Sequence, residues 1–474
     1  MNVGSALILL GIYCILMLII SVFLGRKNKG FNSFMVANRK IKTLGGSVSI
    51  AATWVLPPVL FISAQQAFQN GWVGFAWFSI PNVFALFLFG IAASRIRKKF
   101  PNGFTLPDLM LTEHGNKTHS IYLLQFTIVQ ICSFAMQLLA GAFIVGWLTG
   151  INFFLITIIL SAVALTAGLI YGLKASIITD FIKMAFIVLV SVIAVPIALH
   201  NAGGFSTVIN GIGGMHNRGL NFFSPEGIEI MFTFGIITTI GVLSGPIGEQ
   251  TFWQRSFAIK KDKVKKACIS AGLIFSIVPI AFSILGFIGA ANGITGINPE
   301  LINIIVLQKY LPPVITPIIV ILIISGLTST MDSNLCAISS LVNVDLFKRI
   351  TGKINTNINV SRIAMILLAI LGIGIANIPG LKILHLFLFY GTLRAATLLP
   401  TLMTTFGKNI YSDSVFWGIL VSMVIGIPTF VIGKLTGNWQ TALTGNIITV
   451  LASGIIAYTW SSIRMRILIN HSEG

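Results

Sequence analysis

Apolar residues run through this chain in long blocks divided by short polar stretches, and most blocks are near the roughly 20 residues that a helix needs to cross a bilayer core. In order they span 5–25, 44–70, 74–93, 120–149, 153–173, 178–200, 230–252, 267–291, 314–344, 363–376, 383–405, 415–432 and 443–460. The pattern predicts about thirteen transmembrane helices. No segment is left over for a sizeable soluble domain, so 1–474 reads as a single transmembrane domain.

Two of these helices carry a break near the middle. Ala51-Ala52-Thr53-Trp54-Val55-Leu56-Pro57-Pro58 interrupts the second, because two consecutive prolines remove two backbone donors. Gly241-Val242-Leu243-Ser244-Gly245-Pro246-Ile247-Gly248 does the same in the seventh. The breaks are five helices apart, the spacing expected if helices two to six (44–200) and seven to eleven (230–405) form two inverted repeats. Unwound backbone at membrane depth is tolerated where it lines a cavity or is buried in protein, so the paired breaks point to a central site. A simple proline kink at each is the alternative.

Composition agrees with a membrane class: 55% of the residues are hydrophobic and 9% charged, with a mean hydropathy of +0.93. The net charge of +19 would suit nucleic acid. Its distribution excludes that reading, because the basic residues sit in alternate loops. Arg26, Lys27, Lys29, Arg39, Lys40 and Lys42 follow the first helix, Arg95, Arg97, Lys98 and Lys99 the third, and Lys260, Lys261, Lys263, Lys265 and Lys266 the seventh. The intervening loops carry Arg218, Lys309, Lys382 and Lys434. By the positive-inside rule the N-terminus is outside, the C-terminus is cytoplasmic, and about 25 of the 31 basic residues face the cytoplasm.

The first helix lacks a basic n-region and is followed by Arg26-Lys27-Asn28-Lys29 where a cleavage site would lie, so it reads as a retained helix rather than a signal peptide. Cys14, Cys132, Cys268 and Cys336 show no CxxC spacing and read as packing residues. The six histidines form no pair at metal-ligand spacing.

Ionisable groups at membrane depth cost on the order of 3 kcal/mol each, so each needs a partner or a task. Asp180 and Lys183 fall near the cytoplasmic start of the sixth helix, Glu249 near the end of the seventh, Asp332 within the ninth and Arg394 within the eleventh. The ninth helix reads Ser325-Gly326-Leu327-Thr328-Ser329-Thr330-Met331-Asp332-Ser333, with Gly326, Ser329, Thr330 and Ser333 on one side and Asp332 one turn from Ser329. That side offers the hard oxygen ligands an alkali cation prefers, although hydroxyls on membrane helices also serve as interhelical glue. In the fourth helix Gln130, Ser133 and Gln137 form a stripe that could face the same cavity or bind a neighbouring helix.

At four stretches the chain resembles the sodium:solute symporter family, which includes sodium/proline, sodium/sugar and sodium/sialic acid carriers. They are Phe34-Met35-Val36-Ala37-Asn38-Arg39, Tyr171-Gly172-Leu173-Lys174-Ala175 with Thr179-Asp180, Gln254-Arg255 with Ala258-Ile259-Lys260-Lys261, and Ser329-Thr330-Met331-Asp332-Ser333 with Asp345-Leu346-Phe347-Lys348-Arg349. The last is the most specific. The resemblance implies an all-α integral membrane protein with a LeuT-like 5+5 inverted repeat, one extra N-terminal helix (5–25) and two C-terminal helices (415–460). It implies Na+ as coupling ion, bound by the backbone carbonyls of Ala52, Val55 and Gly326 and the hydroxyls of Ser329 and Thr330. A second cation site, present in some relatives, would map to Asp180, Asp332 and Ser333 with Ser329.

For the solute the resemblance offers Trp54, Trp77, Glu249 and Gln250. Glu249 and Gln250 match positions where sugar carriers present amides, and Trp77 falls near an outer aromatic gate. Trp54, Pro57 and Pro58 depart from the usual small polar stretch and resemble the urea-carrying branch. Gln137 and Arg394 complete the candidates, since a guanidinium in mid-helix can hold a carboxylate bidentately; a structural pair with Glu249 is the alternative. The expected function is sodium-coupled symport of a small organic solute across the cell's inner membrane, by alternating access. A proton-coupled or uncoupled carrier of the same fold, such as a urea-type permease, is the rival. A sensor would usually carry a signalling domain, and a membrane enzyme would need a His/Asp or paired-carboxylate constellation at a membrane face, which the sequence lacks. The expected partners are the solute and the lipid bilayer, with no nucleic acid and no obligatory protein partner.

Overall fold

Inside a bilayer no water is present to satisfy peptide groups, so a chain with this pattern must close its backbone hydrogen bonds within helices. The computed structural model describes residues 3–25, 30–55, 57–407 and 410–472. Among them helices dominate, with one isolated parallel bridge between Ile41 and Ile259. The cluster Arg26-Lys27-Asn28-Lys29 and Leu56 of the first break lie outside the described residues.

The helices that carry the fold are α1 (Val3–Gly25), α2 (Thr43–Trp54), α3 (Pro57–Lys99), α4 (Leu106–Thr149), α5 (Phe153–Asn201), α6 (Ile236–Leu243) and α7 (Gln250–Ala258). After them come α8 (Val264–Ala291), α9 (Thr316–Ser340), α10 (Ile358–Ala376), α11 (Ile383–Ala395), α12 (Leu398–Thr405), α13 (Ser412–Val421) and α14 (Trp439–Ser472). Among the described residues 11 helical stretches are long and apolar enough to cross a membrane, and Leu7–Ile20 is a shorter apolar one. Two of the thirteen expected segments fall out of that number: the first is the shorter stretch, and α3 holds both the end of the second and all of the third, divided at Gly71. There φ is 56° and ψ −149°, a conformation essentially restricted to glycine. A Cβ on Gly71 would also lie 2.6 Å from the Gly213 carbonyl oxygen. Gly172 divides α5 in the same way, with φ 60° and ψ −146°.

Long helices of this kind bury themselves on one another: α3 packs along α8, α9 along α5, and α2 against both α5 and α8. Helix α1 lies against α5 and α9, where the Tyr13 hydroxyl is 3.0 Å from Thr328 Oγ1. Three of the basic stretches meet at one end of the bundle. Arg39 donates to the carbonyls of Asn102, Gly103 and Phe257 at 2.7, 2.8 and 3.3 Å, and Arg97 to that of Ile259 at 3.3 Å.

Candidate functional site

Helix α2 stops at Trp54, and Val55 takes φ −73° and ψ 71°, outside the helical region. In a continuing helix the carbonyls of Thr53 and Trp54 would accept from residues 57 and 58, but both are prolines and have no N–H. A freed carbonyl in a water-free interior needs another donor. Thr53 finds one on α9, where Thr330 Oγ1 donates to it at 3.3 Å, and Thr53 Oγ1 lies 3.2 Å from Ser333 Oγ. A Cβ added to Gly326 would stand 3.9 Å from the Val55 carbonyl oxygen. The interrupted helix and the hydroxyl-rich helix are therefore direct neighbours, and Ala52, Val55, Gly326, Ser329 and Thr330 are all buried beside their junction. The oxygens are carbonyl and hydroxyl, the hard donor type suited to an alkali ion.

One turn deeper the site changes character. Asp180 of α5 accepts from Ser49 Oγ at 2.6 Å, Ser329 Oγ at 2.5 Å and Arg255 Nη2 at 3.0 Å. Arg255, on α7, donates from the same nitrogen to Ser333 Oγ at 2.6 Å. Lys183 Nζ donates to Asp332 Oδ2 at 2.6 Å. These four charged side chains are all buried. Asp180, Asp332 and Ser333, expected at a second cation site, come together here beside two basic side chains. A buried carboxylate requires compensation, and here Arg255 and Lys183 supply it.

On the far side of Trp54 a second cluster joins the two broken helices. Glu249 lies in the unwound stretch between α6 and α7, where it accepts the hydroxyl of Tyr390 and, at 3.3 Å, Nη1 of Arg394. Arg394 Nη2 donates to the Gly241 carbonyl at 3.2 Å, and the guanidinium sits 3.8 Å from the Tyr390 ring centre and 5.8 Å from that of Trp54. Trp54 donates to the Asn82 carbonyl at 3.0 Å and meets Phe252 edge to face at 5.2 Å. Trp54, Glu249 and Arg394 thus converge, with Arg394 in the structural pair that was the alternative to a free solute ligand.

The remaining candidates divide. Gln137 is fully buried, and its amide, like that of Gln130, has no hydrogen-bond partner among the described residues. Gln250 is tied to the start of α4: its amide nitrogen donates to the Phe104 carbonyl at 3.0 Å and to Ser340 at 3.1 Å, and its oxygen accepts from the Leu106 N–H. Trp77 is half-buried and packs against Phe222 and Gly235. A cavity of about 380 Å³, lined by Gln65, Gln69, Phe143, Glu300, Lys382 and His385, opens near the loop that carries Lys382.

Sequence reasoning missed the partners Arg255, Lys183 and Tyr390. Signals for each were present: Lys183 follows Asp180 by three residues and so shares its face, and Tyr390 precedes Arg394 by one turn. Arg255 lay in a family-like segment without a role.

The chain is similar to known proteins over most of its length. The model of the Sodium:solute symporter family matches residues 34–422. The sodium/pantothenate symporter of Haemophilus influenzae is 25% identical over 429 residues, covering 85% of this chain and 82% of its own length. The urea-proton symporter of Oryza sativa subsp. japonica is 21% identical over 486 residues, covering 91% of this chain but 66% of its own length. Among solved structures, a sodium-coupled sialic acid symporter in a substrate-bound outward-open state is similar with a TM-score of 0.77 at 17% identity, covering 96% of this chain and 97% of that one. The fold is therefore the all-α LeuT-like transporter fold.

Proposed function

Because the chain belongs to the sodium:solute symporter family, we propose that it is a sodium-coupled symporter of a small organic solute that works by alternating access. The relatives and the structural neighbour are transporters, and the protein is a multi-pass membrane transporter, not an enzyme. One observation carries the sodium reading: the Thr53 carbonyl, freed at the break, accepts from Thr330 Oγ1 on α9, and the Val55 carbonyl faces Gly326 of the same helix. Sodium would be held there by the carbonyls of Ala52, Val55 and Gly326 with Ser329 and Thr330. Its charge would tie α2 to α9, and the solute pocket beside Trp54 would be ordered by the same contact.

The broken α2 and the broken α6–α7 pair support a division into repeats at 44–200 and 230–405. The gathering of Arg39, Arg97 and the 260–266 lysines at one end supports an inner-membrane orientation with that end cytoplasmic and the C-terminus inside. The cavity beside Lys382 then opens outward.

Uptake into proteoliposomes tests the sodium site. The Ser329→Ala/Thr330→Ala variant should raise the half-saturating sodium concentration at least tenfold, a loss of about 1.4 kcal/mol, while solute-independent folding persists. Unchanged sodium affinity in that variant would remove these hydroxyls from the site.

A second reading, a proton-coupled or uncoupled carrier of the urea type, has its own support. The rice urea-proton symporter is a relative over 91% of this chain, and the Arg394 charge is already matched by Glu249. A carboxylate solute would have to displace Glu249, whereas an uncharged amide would not. Thermal stabilisation by a panel of amino acids, monocarboxylates, sugars, sialic acid and urea, each with and without sodium, separates the readings.

A further inference from the structure

We propose that Lys183 is a built-in cation that holds the place of a second sodium ion and so limits coupling to one sodium per cycle. The proposal rests on the sodium reading above and deepens it. Its basis is the way α5 and α9 face each other as two rungs. On the first, Asp180 meets Ser329 at 2.5 Å; on the second, one turn on, Lys183 meets Asp332 at 2.6 Å. Asp180 and Lys183 are three residues apart on α5, and Ser329 and Asp332 are three apart on α9, so each pair shares a helix face.

Those oxygens are the ones a second alkali ion would use. They carry two negative charges, and the same cluster already holds two positive ones, Lys183 on Asp332 and Arg255 on Asp180. The four side chains are at most 2% exposed, so little solvent screens them. An added sodium ion would enter a cluster of zero net charge and sit beside an ammonium group. The Lys183 ammonium is itself a compact monovalent cation that prefers oxygen partners, but its four-carbon stem ties it to α5. It neutralises Asp332 permanently and cannot be released to the cytoplasm. The junction of Val55 with Thr330 offers neutral oxygens to the first sodium ion, and Ser329, which donates to Asp180, links the two positions.

The test measures sodium alone, against choline chloride at constant ionic strength, by thermal stabilisation of the purified protein without solute. Wild type should saturate with a Hill coefficient of about 1, and Lys183→Ala, which exposes Asp332, should rise towards 2 with larger total stabilisation. Lys183→Arg, and Lys183→Ala combined with Asp332→Asn, should both return the coefficient to about 1. A folded Lys183→Ala protein with single-site behaviour would overturn the proposal and leave Lys183 as a structural pair. Should Lys183→Ala not fold, the reversal potential of wild-type transport in proteoliposomes decides: one sodium per solute supports the proposal, and two overturn it. A wild type with no sodium response at all would instead sink the sodium reading itself.

Discussion

Asp180, Asp332 and Glu249 lie at membrane depth, and each meets a basic side chain from another helix: Arg255, Lys183 and Arg394. Pairs of this kind add little stability over an apolar equivalent, yet removing one partner is costly because the other charge is left buried and alone. Glu249→Gln should therefore destabilise the protein by about 3–5 kcal/mol, read as a lower melting temperature in detergent. Adding Arg394→Leu should recover part of that loss, since no lone charge remains. A Glu249→Gln protein that melts with wild type would show that Arg394 finds its compensation elsewhere. These partners were only half visible in the sequence: the Arg394–Glu249 pair was one of its two readings of Arg394, but that Arg255 answers Asp180 and Lys183 answers Asp332 depended on helices far apart in the chain.

At the scale of elements, interruptions matter more than helices. Pro57-Pro58 ends α2, the stretch 244–249 separates α6 from α7, and Gly71 and Gly172 divide α3 and α5. The proline break was legible because a missing N–H is a covalent fact. The Gly71 break was not, because what distinguishes it, a positive φ with the backbone of Gly213 close by, is a tertiary feature. Gly71→Ala should cost about 1–3 kcal/mol from backbone strain alone, with the contact to Gly213 adding to it. Gly374→Ala, at a helical position with open space around it, should be neutral or slightly stabilising. Equal melting temperatures for the two variants would contradict the strained turn.

At the scale of the whole molecule, charge asymmetry predicts an orientation that labelling tests. Cys132, Cys268 and Cys336 are buried and Cys14 is partly so, which leaves a low background for labelling. In intact cells a membrane-impermeant thiol reagent should modify Arg218→Cys and spare Lys261→Cys, with both labelled after lysis. The opposite pattern would invert the topology and turn the cavity beside Lys382 towards the cytoplasm. Under the proposed sodium coupling, that orientation would let one sodium entering down 100 mV contribute about 2.3 kcal/mol, enough for a gradient of some tens-fold.

Hydropathy and the two breaks determined the membrane class, the helical segments and where the helices are interrupted, because helix length and proline chemistry are local properties. The likeness of Ser329-Thr330-Met331-Asp332-Ser333 to one family identified the helix that faces the first break. Only tertiary structure decided which of the buried oxygens are free. It turned Gln250 onto the start of α4, paired Arg394 with Glu249, and closed the Asp180–Asp332 face with Arg255 and Lys183. Electrostatic compensation acts through space, between residues 75 to 149 positions apart in these three ion pairs, and no local pattern encodes it.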